Sequence, residues 1–338
     1  KKTGNGSPSK KKGAAVGKAT GVLVAWVALG APALAAGADG GFDWEPWRNL
    51  PVLDDGRRKP LDTLARETLR DLTGKRAFRD PETDERLSAT ATYVGMLFDW
   101  QGWDEPVDPQ AAAGMGSIGA YFASHEPDKW DRADLFPVPG SALRKALGLS
   151  EGTRRISPLK LSQATIRDPR TDEETPFLNW AAKRYRDEDD QTDAVQRGGL
   201  ALVDKLLTYY AHRMGERFYV LPLKGSEYED WVSADSLLRS EYDDETDPTG
   251  GLRRVQSELA AARSAYVDRS AGDFNEAGAA LIATAREVGP KLGPYPERRT
   301  IRLDLASNLW SPFRLAWWFT LVSFAGFVLN GLTTRSQD

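Results

Sequence analysis

The sequence predicts a mainly α-helical extracytoplasmic domain with minor β structure, flanked by an N-terminal signal or anchor segment and a C-terminal transmembrane helix. Apolar residues recur at helical spacing in several segments, whereas strand patterns are scarce, and both observations predict the helical class. The flanking segments follow from an apolar run near each end of the chain. We therefore divide the chain into residues 1–36, 40–312 and 315–332.

The N-terminal segment has the order of a secretory signal peptide. Residues 1–20 carry lysines and no acidic residue, and a short apolar run follows that ends in small residues at Ala35 and Ala36. We expect cleavage after one of these alanines. An uncleaved anchor helix is the alternative, although the apolar run is short for a membrane span. In both cases the chain beyond this segment leaves the cytoplasm.

The C-terminal segment from Leu315 to Leu332 contains no charged residue. At ~1.5 Å per residue it would extend about 27 Å, close to the ~30 Å hydrocarbon core of a bilayer. Trp317 and Trp318 lie near one end, as interfacial aromatic residues do. A buried core helix is the alternative, but this segment is apolar on all sides. We expect the chain in a bacterial cytoplasmic membrane, with residues 40–312 on the periplasmic side.

Helical periodicity marks several segments of the middle region. The predicted helices include apolar stripes within 61–72, 141–149, 195–210, 252–266 and 273–288. Asp62 or Thr63 is expected to cap the first helix, which Gly74 ends. Asp273 opens a capping-box pattern, and Gly289-Pro290 is expected to end the helix that follows. The only strong strand candidate is the segment 217–223, with a loop and a capped helix after it.

Composition excludes several classes of function. The 338 residues include 45 basic and 49 acidic side chains, a balance that argues against a nucleic-acid binder. The absence of cysteine excludes disulfides, thiolate metal sites and cysteine nucleophiles within this sequence. Two histidines, His125 and His212, are too few for a histidine-rich metal site, and each is a candidate haem ligand. No catalytic constellation and no metal site are predicted.

Two further patterns have competing interpretations. The segment GMGSIG at 114–119 loosely matches a dinucleotide-binding fingerprint, but no apolar strand precedes it, so we interpret it as a loop. The tryptophans Trp100, Trp103 and Trp130 alternate with acidic residues. They are interpreted as core anchors, with a binding surface as the alternative.

The densest stretch, LPVLDDGRRKPLDTLARE at 50–67, places Arg57, Arg58 and Lys59 directly before a helix start. One interpretation is a docking point for an anionic or carboxylate partner, since cations and helix N-termini both attract anions. The other is structural: Asp54 and Asp55 neutralise the cations, and the loop holds the domain together.

This stretch resembles a motif of cytochrome c biogenesis proteins of the CcsA/ResB (System II) type. The matching residues are Leu50, Pro51, Val52, Gly56, Arg57, Lys59, Pro60, Leu61, Asp62, Thr63, Ala65 and Arg66, while Leu53 replaces the family's Gln. Looser similarity follows in order and spacing, up to SNLWSPFRLAWW near the C-terminal apolar run, where Ser307 replaces the family's Tyr before Asn308. The resemblance extends over roughly residues 45–332.

The resemblance implies an extracytoplasmic scaffold, or a contact for apocytochrome c, that works with other cytochrome c assembly components and membrane lipid. It implies that haem is handled by a membrane core beyond Asp338, so no cofactor is assigned within this sequence. Arg57, Lys59, Asp62, Thr63 and Arg66 are the residues that this motif singles out. The alternatives are a membrane-anchored binding or sensor module unrelated to haem, and an extracytoplasmic hydrolase that uses paired carboxylates.

Overall fold

Helices dominate the chain, and the strands form small antiparallel sheets, which confirms the predicted class. The structure is a computed structural model that describes residues 41–104, 118, 126–185, 193–223, 230–310, 316–324 and 326–327. The predicted signal at 1–36, His125 and most of GMGSIG lie outside these residues.

Up to Trp310 the described helices, in chain order, are α1 (Glu45–Arg48), α2 (Leu61–Thr73), α3 (Ala89–Phe98), α4 (Lys129–Arg132), α5 (Ser141–Ala146), α6 (Pro158–Ser162), α7 (Phe177–Arg184), α8 (Ala194–Arg213), α9 (Ala234–Arg239), α10 (Gly251–Val267), α11 (Ala271–Leu292) and α12 (Arg298–Trp310). A short 3-10 helix covers Gln101–Asp104. The strands are β1 (Pro51–Asp54), β2 (Arg57–Pro60), β3 (Phe78–Arg79), β4 (Arg86–Leu87), β5 (Phe136–Pro137), β6 (Arg155–Ile156), β7 (Thr165–Arg167), β8 (Glu174–Pro176), β9 (Tyr219–Pro222) and β10 (Trp231–Ser233).

The largest sheet has the strand order β10-β9-β1-β2, and each neighbouring pair is antiparallel. Strands β1 and β2 form a hairpin in which Asp54 pairs with Arg57. The turn between them is Asp55-Gly56, and both residues have positive φ, 48° and 71°. An Asp-Gly turn with two left-handed residues is the connection that two-residue hairpins favour. This hairpin was not among the predicted elements, although Asp55-Gly56 is a sequence signal for it.

Helices α10 and α11 pack against each other as an antiparallel pair and bury the apolar stripes predicted for them. At the α11 surface Trp47 stacks on Phe274, with ring centroids 5.6 Å apart and planes 14° from parallel. Gly278 lies beside the same indole, where an added Cβ would come within 2.6 Å of Trp47 Nε1. The absence of a side chain at Gly278 therefore lets this tryptophan reach full burial.

The predicted boundaries of α11 were wrong at both ends. The helix begins after Ser270, whose hydroxyl donates a 2.6 Å hydrogen bond to Asp273, so the proposed capping box does not form. It also continues through Pro290 to Leu292. Proline in a final turn removes only one helix hydrogen bond, and Gly289 lies against the ring of Tyr295, which holds that turn in place.

Trp100 and Trp130 are buried, with 3% and 2% of their surface exposed, in agreement with the core interpretation. Trp103 is partly buried and packs against the core, and its indole N–H donates to the Leu97 carbonyl at 2.9 Å. These indoles therefore belong to the packing of the domain.

The predicted transmembrane segment 315–332 is only partly described, at 316–324 and 326–327, which are helical and exposed. Trp317, Phe324 and Phe327 are among its exposed side chains, at 63%, 67% and 77%. No helix within the described residues is both long enough and apolar enough to cross a membrane.

Candidate functional site

The motif at 50–66 folds into one unit, which we call the junction: the hairpin β1–β2, the first turns of α2, and α12 packed against them. Strand β2 runs directly into α2, because Pro60 is both its last residue and the N-cap of the helix. The amide of Leu61 donates to the carbonyl of Leu50 at 2.8 Å, which fixes the helix start against β1. The motif residues are thereby held on a rigid support.

Asp62 lies in the first turn of α2 with 1% of its surface exposed, and it does not cap the helix. Its carboxylate accepts hydrogen bonds from Arg66 Nε at 2.7 Å and from Arg48 Nε at 3.3 Å. The Thr90 hydroxyl donates to the same carboxylate at 3.3 Å. The capping prediction was wrong because Pro60 precedes the helix and Asp62 faces inward, where it joins α1, α2 and α3.

Lys59 is also buried, with 5% of its surface exposed. Its ammonium group donates to Asp54 and to Glu67, each at 2.5 Å. Burial is the largest single influence on the pKa of Lys59, and it lowers that pKa. The hydrogen bonds and charges of the two carboxylates together outweigh burial, so the pKa of Lys59 lies above its ordinary value. Lys59 therefore stays charged and ties the hairpin to α2.

The remaining contacts of the junction reach α12. Arg57 pairs with Asp304 at 3.1 Å, with most of the arginine side chain exposed. Asn308 donates from Nδ2 to the Thr63 hydroxyl at 2.7 Å. Ile301 and Leu305 bury the apolar side of α12. The first stretch of the resemblance thus touches the stretch around Asn308 that precedes the C-terminal apolar run.

The residues singled out by the motif therefore differ in their access to a partner. Lys59, Asp62 and Thr63 are buried, whereas Arg57 and Arg66 are exposed over about half of their side chains, 59% and 45%. The neutralising role proposed for Asp54 agrees with its contact to Lys59. Docking of an external partner stays a prediction, and the exposed guanidinium groups are the ones positioned for it.

His212 lies in α8 with 5% of its surface exposed. Its Nδ1 is 2.9 Å from the Tyr93 hydroxyl. Burial lowers the pKa of His212 to about 4, and burial raises the pKa of Tyr93 above its ordinary value. Both groups are thus neutral near pH 7, and the histidine tautomer decides which of them donates the hydrogen bond. Iron ligation by His212 stays a prediction and would require this core contact to open.

A second buried polar cluster was not anticipated from the sequence. Arg213 has a fully buried side chain, and it pairs with Asp128 and, at 2.9 Å, with Asp131. The Tyr209 hydroxyl also donates to Asp131, at 3.0 Å. Burial is the largest influence on Asp131 and raises its pKa, while Arg213 opposes that shift. This cluster binds α4 to α8, and its members come from segments far apart in sequence, which is why no local pattern revealed it.

An open cleft of about 810 Å³ lies between the β3–β4 hairpin, the end of α2 and α3. Its wall combines apolar residues such as Phe78 and Met96 with basic residues such as Lys75 and Arg155. Asp80 lines the cleft, but it is already paired with Lys129 at 2.8 Å. No group of three or more metal-binding side chains occurs in the part of the chain that the structure describes.

The hydrolase alternative would need two accessible carboxyl groups with different protonation states. Burial raises the pKa of Asp99, while the pKa of Asp80 is lowered, because its hydrogen bonds together outweigh burial. Asp99, however, is not among the described lining residues of the cleft and accepts from the Trp130 indole at 2.8 Å. The described geometry therefore favours packing over catalysis for this pair.

Comparison with known proteins finds no matching family model and no matching curated protein.

Proposed function

We propose that this chain is the membrane-tethered extracytoplasmic part of a cytochrome c assembly protein, and that it acts as a scaffold. The observation that carries the proposal is the contact between Thr63 and Asn308, at 2.7 Å. These residues belong to the two stretches that resemble the start and the end of the extracytoplasmic region in that family. Their contact supports the proposal that both stretches act together as one structural unit.

In this proposal the junction positions α12, the helix that precedes the C-terminal apolar run. The apolar residues that follow expose Trp317, Phe319 and Phe324, which suits contact with lipid. A signal at 1–36 would deliver the domain to the periplasm, and 315–332 would tether it to the membrane. The scaffold would then hold the domain in a fixed relation to a haem-handling membrane core that follows in the full-length protein.

The experiment measures holocytochrome c yield in cells that carry the full-length protein as their only copy. The test variant is Thr63→Val with Asn308→Ala, which removes the contact between the two motifs. The control variant is Ser307→Ala, whose hydroxyl, among the residues that the structure describes, donates to the Asp304 carbonyl of its own helix alone. We expect reduced yield in the double variant at an unchanged level of the membrane-bound protein, and wild-type yield in the control.

Normal yield from the double variant would overturn the scaffold role of the junction. Normal yield in cells that lack the protein altogether would overturn the assignment to cytochrome c assembly. Immunoblotting of the membrane fraction separates both outcomes from simple loss of the protein.

A membrane-anchored binding module unrelated to haem is the second candidate, and the cleft of about 810 Å³ favours it. Its mixed apolar and basic wall also includes three carboxylates, but Asp80, Asp84 and Asp134 are paired with cations, so the cleft suits an amphipathic ligand with an acidic group. Under this alternative, Lys75→Glu in the cleft would produce the same cellular phenotype as deletion of the gene. Cytochrome c yield would stay normal even in cells that lack the protein.

A further inference from the structure

A small pocket beside the junction gathers three arginines. It has a volume of about 170 Å³ and is lined by Pro46, Asn49, Ile282, Arg286, Arg298 and Arg302. Arg286 comes from α11, and the other two arginines lie one helical turn apart at the start of α12. None of the described lining residues is acidic. The volume is several times the ~30 Å³ share of one water molecule, so the pocket has room for a polyatomic ion.

The arginines are not balanced by carboxylates of the described chain. Arg286 donates to the Asn49 carbonyl at 3.2 Å. Arg298 and Arg302 have no acidic partner among the described residues, unlike Arg48 and Arg57, which form ion pairs with carboxylates. Like charges one helical turn apart repel each other. Arg286 is half-buried, whereas Arg298 and Arg302 are exposed, so the pocket is a surface site of uncompensated positive charge on a protein of net charge −4.

Electrostatics within the pocket agree with this geometry. Burial lowers the pKa of Arg286, and the neighbouring charges of Arg298 and Arg302 lower it further. An anion bound between the three arginines would reduce the electrostatic repulsion among them. Arg298 is also the first residue of a 13-residue helix, so the positive end of the helix dipole adds to the same field.

We propose that this pocket binds a phosphate group, either the headgroup phosphate of a membrane lipid or a soluble phosphate. One guanidinium group can donate two parallel hydrogen bonds to two oxygens of a phosphate, and three guanidinium groups can surround a tetrahedral anion. The pocket lies at the start of α12, whose other end precedes the exposed apolar residues. A bound phosphate would link α11 to the start of α12. The junction already holds the later residues of α12, so the helix would be fixed at both ends.

The test uses the full chain purified in an uncharged detergent and titrated with inorganic phosphate in a calorimeter at low ionic strength. The variant Arg302→Gln removes one lining guanidinium. Arg299→Gln removes the same charge from the same turn of α12, but residue 299 does not line the pocket. We expect saturable binding to wild type, affinity weakened by about tenfold or more in Arg302→Gln, and affinity within about twofold of wild type in Arg299→Gln.

The thermal unfolding temperature of each variant shows whether weaker binding results from misfolding. Without phosphate, Arg302→Gln should melt at or above the wild-type temperature, because it relieves repulsion; phosphate should raise the melting temperature of wild type and of Arg299→Gln only. If Arg302→Gln does not fold, Arg298→Gln takes its place. Absence of saturable binding to wild type, or equal weakening in the control, would overturn the proposal and would indicate diffuse attraction only.

A second arm identifies the source of the phosphate. The titration is repeated in detergent micelles that contain phosphatidylglycerol, or diacylglycerol as a phosphate-free lipid control. Weaker binding of inorganic phosphate with phosphatidylglycerol alone identifies the lipid headgroup as the occupant. Unchanged binding in both micelles identifies a soluble phosphate. The result is independent of cytochrome c yield, so this inference and the proposed function can fail separately.

Discussion

Asn308 donates a 2.7 Å hydrogen bond to the hydroxyl of Thr63, although 245 positions separate them in the sequence. The bond is partly buried, and it joins α12 to the first turn of α2. This bond therefore holds α12 against the junction near the C-terminal end of the helix.

We predict that Asn308→Ala loosens α12 without unfolding the domain. A typical hydrogen bond contributes about 1 kcal/mol, which corresponds to roughly fivefold faster local opening. Hydrogen exchange should therefore accelerate in the amides of 298–310, while the protection of α8 stays unchanged. Ser307→Ala is the control, and equal acceleration in that variant would show that the effect does not depend on the bond to Thr63.

Lys59→Met should destabilise the domain by about 2–3 kcal/mol, because it leaves Asp54 without its buried partner. Arg57→Met changes the neighbouring exposed pair and should cost no more than about 1 kcal/mol. Urea unfolding at neutral pH measures both. Similar losses for the two variants would contradict the structural distinction between a buried and an exposed cation.

Asp62→Asn distinguishes the two roles considered for this residue. Asparagine caps helices as well as aspartate does, so a cap would lose almost nothing. The buried contacts to Arg48 and Arg66 predict a loss of about 3 kcal/mol instead. Asp71→Asn, at an exposed position of the same helix, should change the stability by less than about 0.5 kcal/mol. A stable Asp62→Asn protein would restore the capping interpretation.

His212 should make the domain less stable as the solution becomes acidic. Its pKa is lowered to about 4 by burial, so between about pH 6.5 and pH 4 the unfolded chain binds a proton that the folded domain does not. Stability is then fully present above the unfolded pKa and is lost as the pH falls towards 4, by up to about 3 kcal/mol. In His212→Gln this component should disappear.

Unfolding free energies at several values between pH 4 and pH 8 check this prediction, with His125→Gln as the matched loss of the other histidine. Carboxylates contribute their own pH dependence to every variant, so the difference between slopes is the relevant quantity. A slope in His212→Gln as steep as in wild type would mean that the histidine is not buried in its neutral form.

The parts of the fold that were predicted correctly depend on short-range patterns. The apolar stripe of α8 and the Gly74 end of α2 can be read from neighbouring residues, since helical spacing and left-handed glycine are local properties. The β1–β2 hairpin carried a local signal as well, in Asp55-Gly56. It was missed because each strand has only four residues, and neither shows the alternation of a half-buried strand.

The junction could not have been derived in the same way. Nothing near Asp62 indicates that Arg48 and Thr90 will meet it, and nothing near Thr63 points to Asn308. The charged motif was recognised as important, but its residues could be divided into buried and exposed groups only after the helices were packed. The three-arginine pocket likewise combines one arginine of α11 with two of α12, and no local pattern brings these helices together.

The separation between Thr63 and Asn308 has a consequence for biosynthesis. At a typical rate of about 5–20 residues per second, the ribosome needs on the order of ten to fifty seconds to make the chain between them. Throughout that interval the residues of the first turn of α2 have been synthesised, but Asn308, which will bind Thr63, has not. The α12 face of the hairpin must therefore stay uncovered while the chain is being synthesised, and α12 can cover it only after residue 308 has been made.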